Sequence, residues 1–154
     1  MIKRVHRTTV PATAPNTDWL KLEDDVEVEL TSEDPDWPIE GALLPALSRG
    51  WRAAEPGPQT IVLAWPTPIR LARIRLVFEE HSDRRTQEFV LRASTGEGVR
   101  EVVRQQFTFS PPGTTFEVEE YATNFEGVTR LELTIVPAVD GAEVTASLKE
   151  WRAA

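Results

Sequence analysis

The fold of this chain is decided by the stretch Gly50-Trp51-Arg52-Ala53-Ala54-Glu55-Pro56-Gly57-Pro58-Gln59-Thr60-Ile61-Val62-Leu63-Ala64-Trp65-Pro66-Thr67-Pro68, which continues into residues 69–80. A tryptophan precedes a Gly/Pro turn, and the turn opens an apolar run that has the length of a strand. The two prolines after Trp65 predict a corner. Residues 72–78 then alternate apolar and polar side chains, which is the period of a half-buried strand. The stretch therefore predicts two consecutive strands of a β-protein.

Alternating segments recur along the rest of the chain and are separated by turn residues. They occupy 26–31, 88–93, 103–109, 115–119 and 129–135, with 144–151 as the last strand candidate. The short apolar segment 39–47 predicts one or two helical turns. About eight short strands without long helices predict an all-β protein, an antiparallel β-sandwich of the jelly-roll type.

Length and composition restrict the class of protein. At 154 residues we expect one domain, over 18–154, preceded by an extended arm over 1–17. The chain has no cysteine, so disulfides and cysteine metal sites are excluded. Its beginning lacks the apolar core of a signal peptide, and we expect a cytoplasmic protein without a membrane partner. The net charge of −8 disfavours nucleic acid as a partner.

Catalytic patterns are scarce. His6 falls in the predicted arm, and His81 lies in a polar turn with Ser82 and Asp83. Neighbouring residues of one turn rarely converge as nucleophile, base and orienting group. Phosphate-binding, dinucleotide-binding and zinc-protease motifs do not occur in the sequence. We therefore expect no enzymatic activity.

The aromatic residues are the better indication of function. The alternation assigns Phe78, Phe89, Phe107 and Phe116 to the core, and Trp51 to the end of the core. Loops or outward positions are left for Trp19, Trp37, Tyr121, Phe125 and Trp151. Exposed rings stack on sugars, bases or protein partners, although Trp19 and Trp37 have the alternative of packing back onto the sandwich.

Charged residues fill the outward positions of the strands. We expect arginines such as Arg92 and Arg130 to pair across strands with glutamates such as Glu117, Glu119 and Glu132. The alternative is an arginine face that binds a carboxylate or phosphate.

Several motifs, taken in order, resemble the discoidin family, the coagulation factor 5/8 C-terminal type of galactose-binding-domain-like sandwich. They are Pro38-Ile39-Glu40-Gly41-Ala42, Gly50-Trp51, Gln59-Thr60-Ile61-Val62-Leu63 and the closing Ala146-Ser147-Leu148-Lys149-Glu150-Trp151. The resemblance covers about 26–152. It implies a non-catalytic binding module whose ligand site lies in loops at one end.

The resemblance also bears on metal binding. Many family members hold a structural calcium between an aspartate-glycine turn and a closing glutamate. Glu40 and Glu150 occupy those two positions here, but Glu40 stands in place of the aspartate. We expect no cofactor; calcium at Glu40 and Glu150 is the alternative.

Three loops carry the side chains best suited to recognition, and we predict that at least two of them converge. They are Trp37 with Asp34 and Asp36; His81 with Asp83, Arg84 and Arg85; and Asn124 with Phe125. The expected function is binding of a carbohydrate or a similar small polar ligand. The acidic segment 18–36 and the charged arm favour the alternative of a protein–protein interaction module. A minor alternative is a DNA-break-binding domain of the repair-scaffold type, which residues 50–61 resemble.

Overall fold

The computed structural model describes residues 19–22 and 24–154, and the predicted arm over 1–17 lies outside them. The described residues confirm the predicted all-β, antiparallel fold. Its strands are β1 (Glu27–Leu30), β2 (Trp51–Pro56), β3 (Gln59–Glu79), β4 (Arg85–Thr95), β5 (Gly98–Phe109), β6 (Phe116–Val136), β7 (Thr145–Leu148) and β8 (Glu150–Ala153), and its short helix is α1 (Glu40–Leu43). No helix of the described residues is long and apolar enough to cross a membrane.

Two bent strands build the sandwich. β3 and β6 each run for 21 residues and pair with each other at both ends, with register shifts between Ala64 and Arg73 of β3. A straight strand of that length would extend roughly 70 Å, more than the width of a domain of this size. The bend in β3 falls after Ala64, where the pairing with β6 shifts register before Ile69. Pro66 and Pro68 lie in this interval and cannot donate to the ladder. The two predicted strands are therefore one strand with a proline bend.

The bend creates two layers around one core. The first half of β3 pairs with β1 and with the second half of β6, and β4 and β5 extend that layer. The second half of β3 pairs with β8 and with the first half of β6. Phe78 and Phe89 bring the layers together, with ring centroids 5.1 Å apart. The pair β2 and β7 forms a separate two-stranded sheet.

Two tryptophans anchor the core. Trp51 is only 1% exposed, and its indole N–H donates to the Ser32 carbonyl at 3.2 Å, which confirms its predicted core position. The outward position predicted for Trp151 is wrong, because it is fully buried on β8 opposite Leu76. Both side chains tie the short C-terminal strands to the main core.

The first part of β6 alternates as predicted, but with its faces reversed. Phe116 is 48% exposed, so its predicted core position was wrong. Glu117 is 3% exposed, so its predicted outward position and cross-strand pairing were wrong as well. Burial, together with the neighbouring Glu119, raises the pKa of Glu117 to about 9. At neutral pH this carboxyl therefore keeps its proton, which avoids placing a bare charge in the core. Glu119 accepts a hydrogen bond from the Tyr121 hydroxyl.

Of the outward charges on the first layer, Arg92 pairs with Glu132 across strands as expected, whereas Arg130 meets Glu132 along the same strand, β6. Glu132 lies 4.0 Å from Arg92 and 3.6 Å from Arg130, measured between charged nitrogen and oxygen atoms. These pairs are substantially exposed, so each adds only about 0.2–1 kcal/mol to stability.

A close approach of two glycines fixes α1 against the start of β2. The Gly50 N–H donates to the Gly41 carbonyl at 3.0 Å. A Cβ added at Gly41 would lie 2.5 Å from the Gly50 oxygen, so this contact requires glycine at position 41. Gly50 itself has a φ of +93°, which side chains disfavour. The contact determines how the chain enters β2.

Candidate functional site

A cleft of about 740 Å³ opens over the small β2–β7 sheet. Its floor comes from residues 50–54 and from Val144, Thr145, Ser147 and Leu148. One wall carries Asp34, Trp37 and Arg49, and the other is the segment 79–83. This volume lies in the range of small-molecule sites. The cleft is therefore the candidate ligand site of the described residues.

The first wall is built around Trp37. The backbone N–H of Trp37 donates to the backbone carbonyl of Asp34 at 2.8 Å. The backbone carbonyl of Trp37 accepts from the backbone N–H of Arg52 at 3.2 Å. The half-buried indole ring is contacted by two guanidinium groups, whose central carbons lie 4.3 Å (Arg49) and 4.1 Å (Arg52) from its centroid. Trp37 thus lines the cleft as predicted, but its ring packs against cations and is not a bare stacking platform.

The second wall is organised by Glu80. Its carboxylate accepts hydrogen bonds from the N–H groups of Ser82 (2.9 Å) and Asp83 (3.1 Å) and from Nε of Arg85 (2.7 Å). Burial acts to raise the pKa of Glu80, but these hydrogen bonds outweigh it and hold the pKa below its usual value. Glu80 is therefore an ionised brace that shapes the turn carrying His81 and Asp83.

His81 and Asp83 are exposed and line the cleft. The His81 Nε2 lies 2.5 Å from a carboxylate oxygen of Glu79, and its ring meets the edge of Phe116 at 5.7 Å between centroids. The same Glu79 carboxylate lies 3.8 Å from the Lys149 amine. The Glu79 carboxylate thus contacts both His81 and Lys149.

Arg84 and Arg85 do not line the cleft, although we predicted both as ligand-binding residues. Arg84 is exposed outside it. Arg85 is buried: its Nη1 donates to Gln87 (2.9 Å) and to the Pro137 carbonyl (2.8 Å), and its guanidinium packs on Phe109. Since its donors are used internally, Arg85 has a structural role.

Asn124 and Phe125 lie far from the cleft. The predicted loop is part of β6, where Phe125 pairs with Leu71 and contacts the Arg100 guanidinium at 5.1 Å. Phe125 is nine residues along β6 from Phe116, the neighbour of His81, or roughly 30 Å of extended strand. Two of the three predicted groups therefore meet in the cleft. Asp34 and Trp37 come from one group, and His81 and Asp83 come from the other. Asp36 is exposed next to them, and its N–H donates to the Asp34 carboxylate at 2.9 Å.

Besides Glu79 and Glu80 of the second wall, four charged residues of the cleft were missed from the sequence. They are Arg49, Arg52, Glu143 and Lys149. Arg52 could have been found, because it alternates with the buried Trp51 and Ala53 and must point the other way. The others lie outside regular alternation, so no local pattern marks them.

The residues at the implied calcium position do not fit that ion. Glu40 is exposed, and the Glu150 carboxylate accepts from Nε of Arg75 at 2.9 Å. Nearby, Nη1 of the buried Arg152 donates to the Ala42 and Leu43 carbonyls, each at 2.9 Å. Calcium needs six to eight free oxygens, and here a guanidinium already takes the backbone oxygens. The described part of the chain also contains no cluster of three acidic, histidine or cysteine side chains suited to a metal.

Comparisons with known proteins agree with the geometry at the level of the fold. No protein-family model matches the sequence. No curated protein matches it either. Solved structures do match. The family 32 carbohydrate-binding module of NanJ from Clostridium perfringens, in complex with galactose, superposes with a TM-score of 0.63 at 13% identity, covering 88% of this chain and 96% of that one.

Two further solved modules show the same likeness. A family 32 module from Clostridium perfringens, bound to GalNAc-β-1,3-galactose, has a TM-score of 0.58 at 17% identity, over 88% of this chain and 98% of the other. The family 32 module of AlyQ, bound to 4,5-unsaturated mannuronic acid, has a TM-score of 0.57 at 19% identity, covering 85% of this chain and 95% of the other. The described residues thus have the galactose-binding-like β-sandwich fold of these modules.

Proposed function

We propose that this chain is a non-catalytic carbohydrate-binding module that takes a hexopyranose in the cleft between Trp37 and the 80–83 turn. The observation that carries the proposal is the convergence of two loops into a polar cleft on this fold. Solved modules of the same fold have galactose, GalNAc-β-1,3-galactose or 4,5-unsaturated mannuronic acid bound. Their fold and this cleft together favour a sugar over other small ligands.

The cleft offers the groups that sugar hydroxyls need. Asp83 and Glu143 are exposed carboxylates, each able to accept two hydroxyl hydrogen bonds. Lys149 and His81 add donors on the same side. Such a ring of fixed polar groups recognises the pattern of hydroxyls on one sugar residue.

A binding role fits the carboxylates better than a hydrolytic one. A glycosidase needs one carboxyl whose raised pKa keeps it protonated near neutral pH. Glu80 has the opposite shift, a lowered pKa, and its oxygens are engaged by the turn that it braces. It therefore stabilises the site and does not donate a proton.

Calorimetric titration tests the proposal. We expect galactose, N-acetylgalactosamine or a related hexose to bind with a dissociation constant of about 0.01–10 mM, because one sugar fills few contacts. Asp83→Asn and Glu143→Gln should each weaken that binding about tenfold, through loss of charge-assisted hydrogen bonds. Glu97→Gln, an exposed change in the distant β4–β5 turn, is the matched control. Absence of binding to every common hexose and hexuronic acid at tens of millimolar would exclude the proposed function.

A further inference from the structure

We propose that the ligand of the cleft carries an anionic substituent, a carboxylate or a sulfate, that is held by Arg49 and Arg52 on the Trp37 wall. This inference rests on the proposed function and specifies the class of sugar. Two guanidiniums pack on the Trp37 indole ring, which lines a polar cleft.

The two arginines are held in place by the ring and not by acids. Both are exposed, and neither forms an ion pair with a carboxylate among residues 19–22 and 24–154. A guanidinium that packs on an aromatic ring still has N–H groups available for bonding. The wall therefore presents two fixed positive charges with unused donors.

Among the described residues, the acids of the cleft form no ion pair with these two arginines. Glu79 is shared between Lys149 and His81, and Glu80 is held by Arg85 and the backbone of its own turn. Arg49 and Arg52 thus keep their donors beside Trp37, where the Asp34 carboxylate accepts from the Asp36 N–H at 2.9 Å, whereas the exposed carboxylates of Asp83 and Glu143 suit hydroxyl groups.

This division favours one orientation of an acidic sugar. An anionic group on the ring would accept from Arg49 and Arg52, and hydroxyls at the opposite edge of the sugar would donate to the carboxylates of Asp83 and Glu143. A neutral sugar gains less binding free energy, because it displaces water from both guanidiniums without offering them an anionic acceptor. The covered Trp37 ring also offers such a sugar less stacking surface.

The experiment compares four galactose-type sugars that differ at C6, two with an anionic group there and two without. Galacturonic acid, galactose 6-sulfate, methyl galacturonate and galactose are titrated at low salt into the wild-type chain, with sodium sulfate alone as the ion control. We expect both acidic sugars to bind roughly 10- to 100-fold more tightly than the ester and galactose. The double variant R49Q/R52Q should bring all four sugars to within about threefold of one another. Arg70→Gln, an exposed arginine paired with Glu126 away from the cleft, should change nothing.

The outcomes separate this inference from the proposed function. A preference for only one of the two anions would identify whether carboxylate or sulfate is the group recognised. Equal binding of galactose and galacturonic acid, unaffected by R49Q/R52Q, would overturn the anionic ligand and leave carbohydrate binding standing. Binding of sulfate alone as tightly as the sulfated sugar would overturn it too. Failure of all four sugars to bind would remove both.

Discussion

Replacing Trp51 by alanine should destabilise the fold strongly while the chain still folds. The side chain is 1% exposed and lies where β2 enters the core. A buried tryptophan removes roughly 150–250 Å² from water, which at about 25 cal/mol per Å² is worth roughly 4–6 kcal/mol. After partial relaxation of the cavity, we expect a loss of about 3–5 kcal/mol in the free energy of unfolding.

Thermal and urea denaturation measure this loss. For a chain of this length the melting temperature should fall by roughly 10–15 °C. Trp51→Phe keeps most of the volume but loses the hydrogen bond to the Ser32 carbonyl, and should cost only about 1–2 kcal/mol. Trp37→Ala, which removes a half-buried ring, should cost at most about 2 kcal/mol. A W51A protein that melts within 3 °C of wild type, or no lower than W37A, would refute the burial argument.

Three other changes test the core, the buried acid and the calcium position. Gly41→Ala forces a Cβ to within 2.5 Å of the Gly50 oxygen and should lower the free energy of unfolding by more than about 2 kcal/mol. Gly96→Ala, where a Cβ has open space, is the control and should lower it by almost nothing. Equal urea midpoints for the two variants would contradict this. Glu117 has a pKa of about 9 when folded and an ordinary one when unfolded, so its contribution to stability is complete at acid pH and falls by up to about 1.4 kcal/mol per pH unit between about pH 5 and 9. Urea unfolding of Glu117→Gln across that range should show a shallower fall than wild type, and an identical slope would show that the carboxyl is ionised in the core. Millimolar calcium should leave the melting temperature unchanged, because Arg152 occupies the carbonyl oxygens; a rise of several degrees that Glu150→Gln abolishes would prove otherwise.

The fold was predictable because alternation and turn residues are local signals. Residues 59–79 were correctly predicted to be extended, from the apolar run and the later alternation. They were predicted to form two strands, however, and they form one bent strand. Whether a proline corner ends a strand or bends it depends on the partner, here β6, which continues pairing beyond the register shift. That partner is distant in sequence and leaves no local trace.

The faces of β6 could not be assigned from its own pattern. Period-two alternation separates Phe116 from Glu117 but does not say which of them points inward. Apolar preference assigns Phe116 to the core, and the structure chooses Glu117, whose carboxyl is tolerated there because it stays protonated. The face of β6 that is buried is therefore set by the packing of the two layers and not by local residue preference.

The candidate site was half predictable for a similar reason. Trp37 and His81 stand in loops marked by turn residues, and both line the cleft. Arg85, in the same turn as His81, is buried because the first residue of β4 points inward. Arg49 and Lys149 reach the cleft only through the docking of α1 and β7, contacts that no single segment encodes.

Backbone NMR of the labelled protein, titrated with galactose and with galacturonic acid, shows directly where a sugar binds. We expect amide shifts to change in four segments that surround the cleft, residues 34–37, 49–54, 80–83 and 143–149. Amides around Phe125 and in the β4–β5 turn should not move, since they lie at the far end of the sandwich. Shift changes confined to that far end, or no changes with either sugar at saturating concentration, would contradict a carbohydrate site in this cleft.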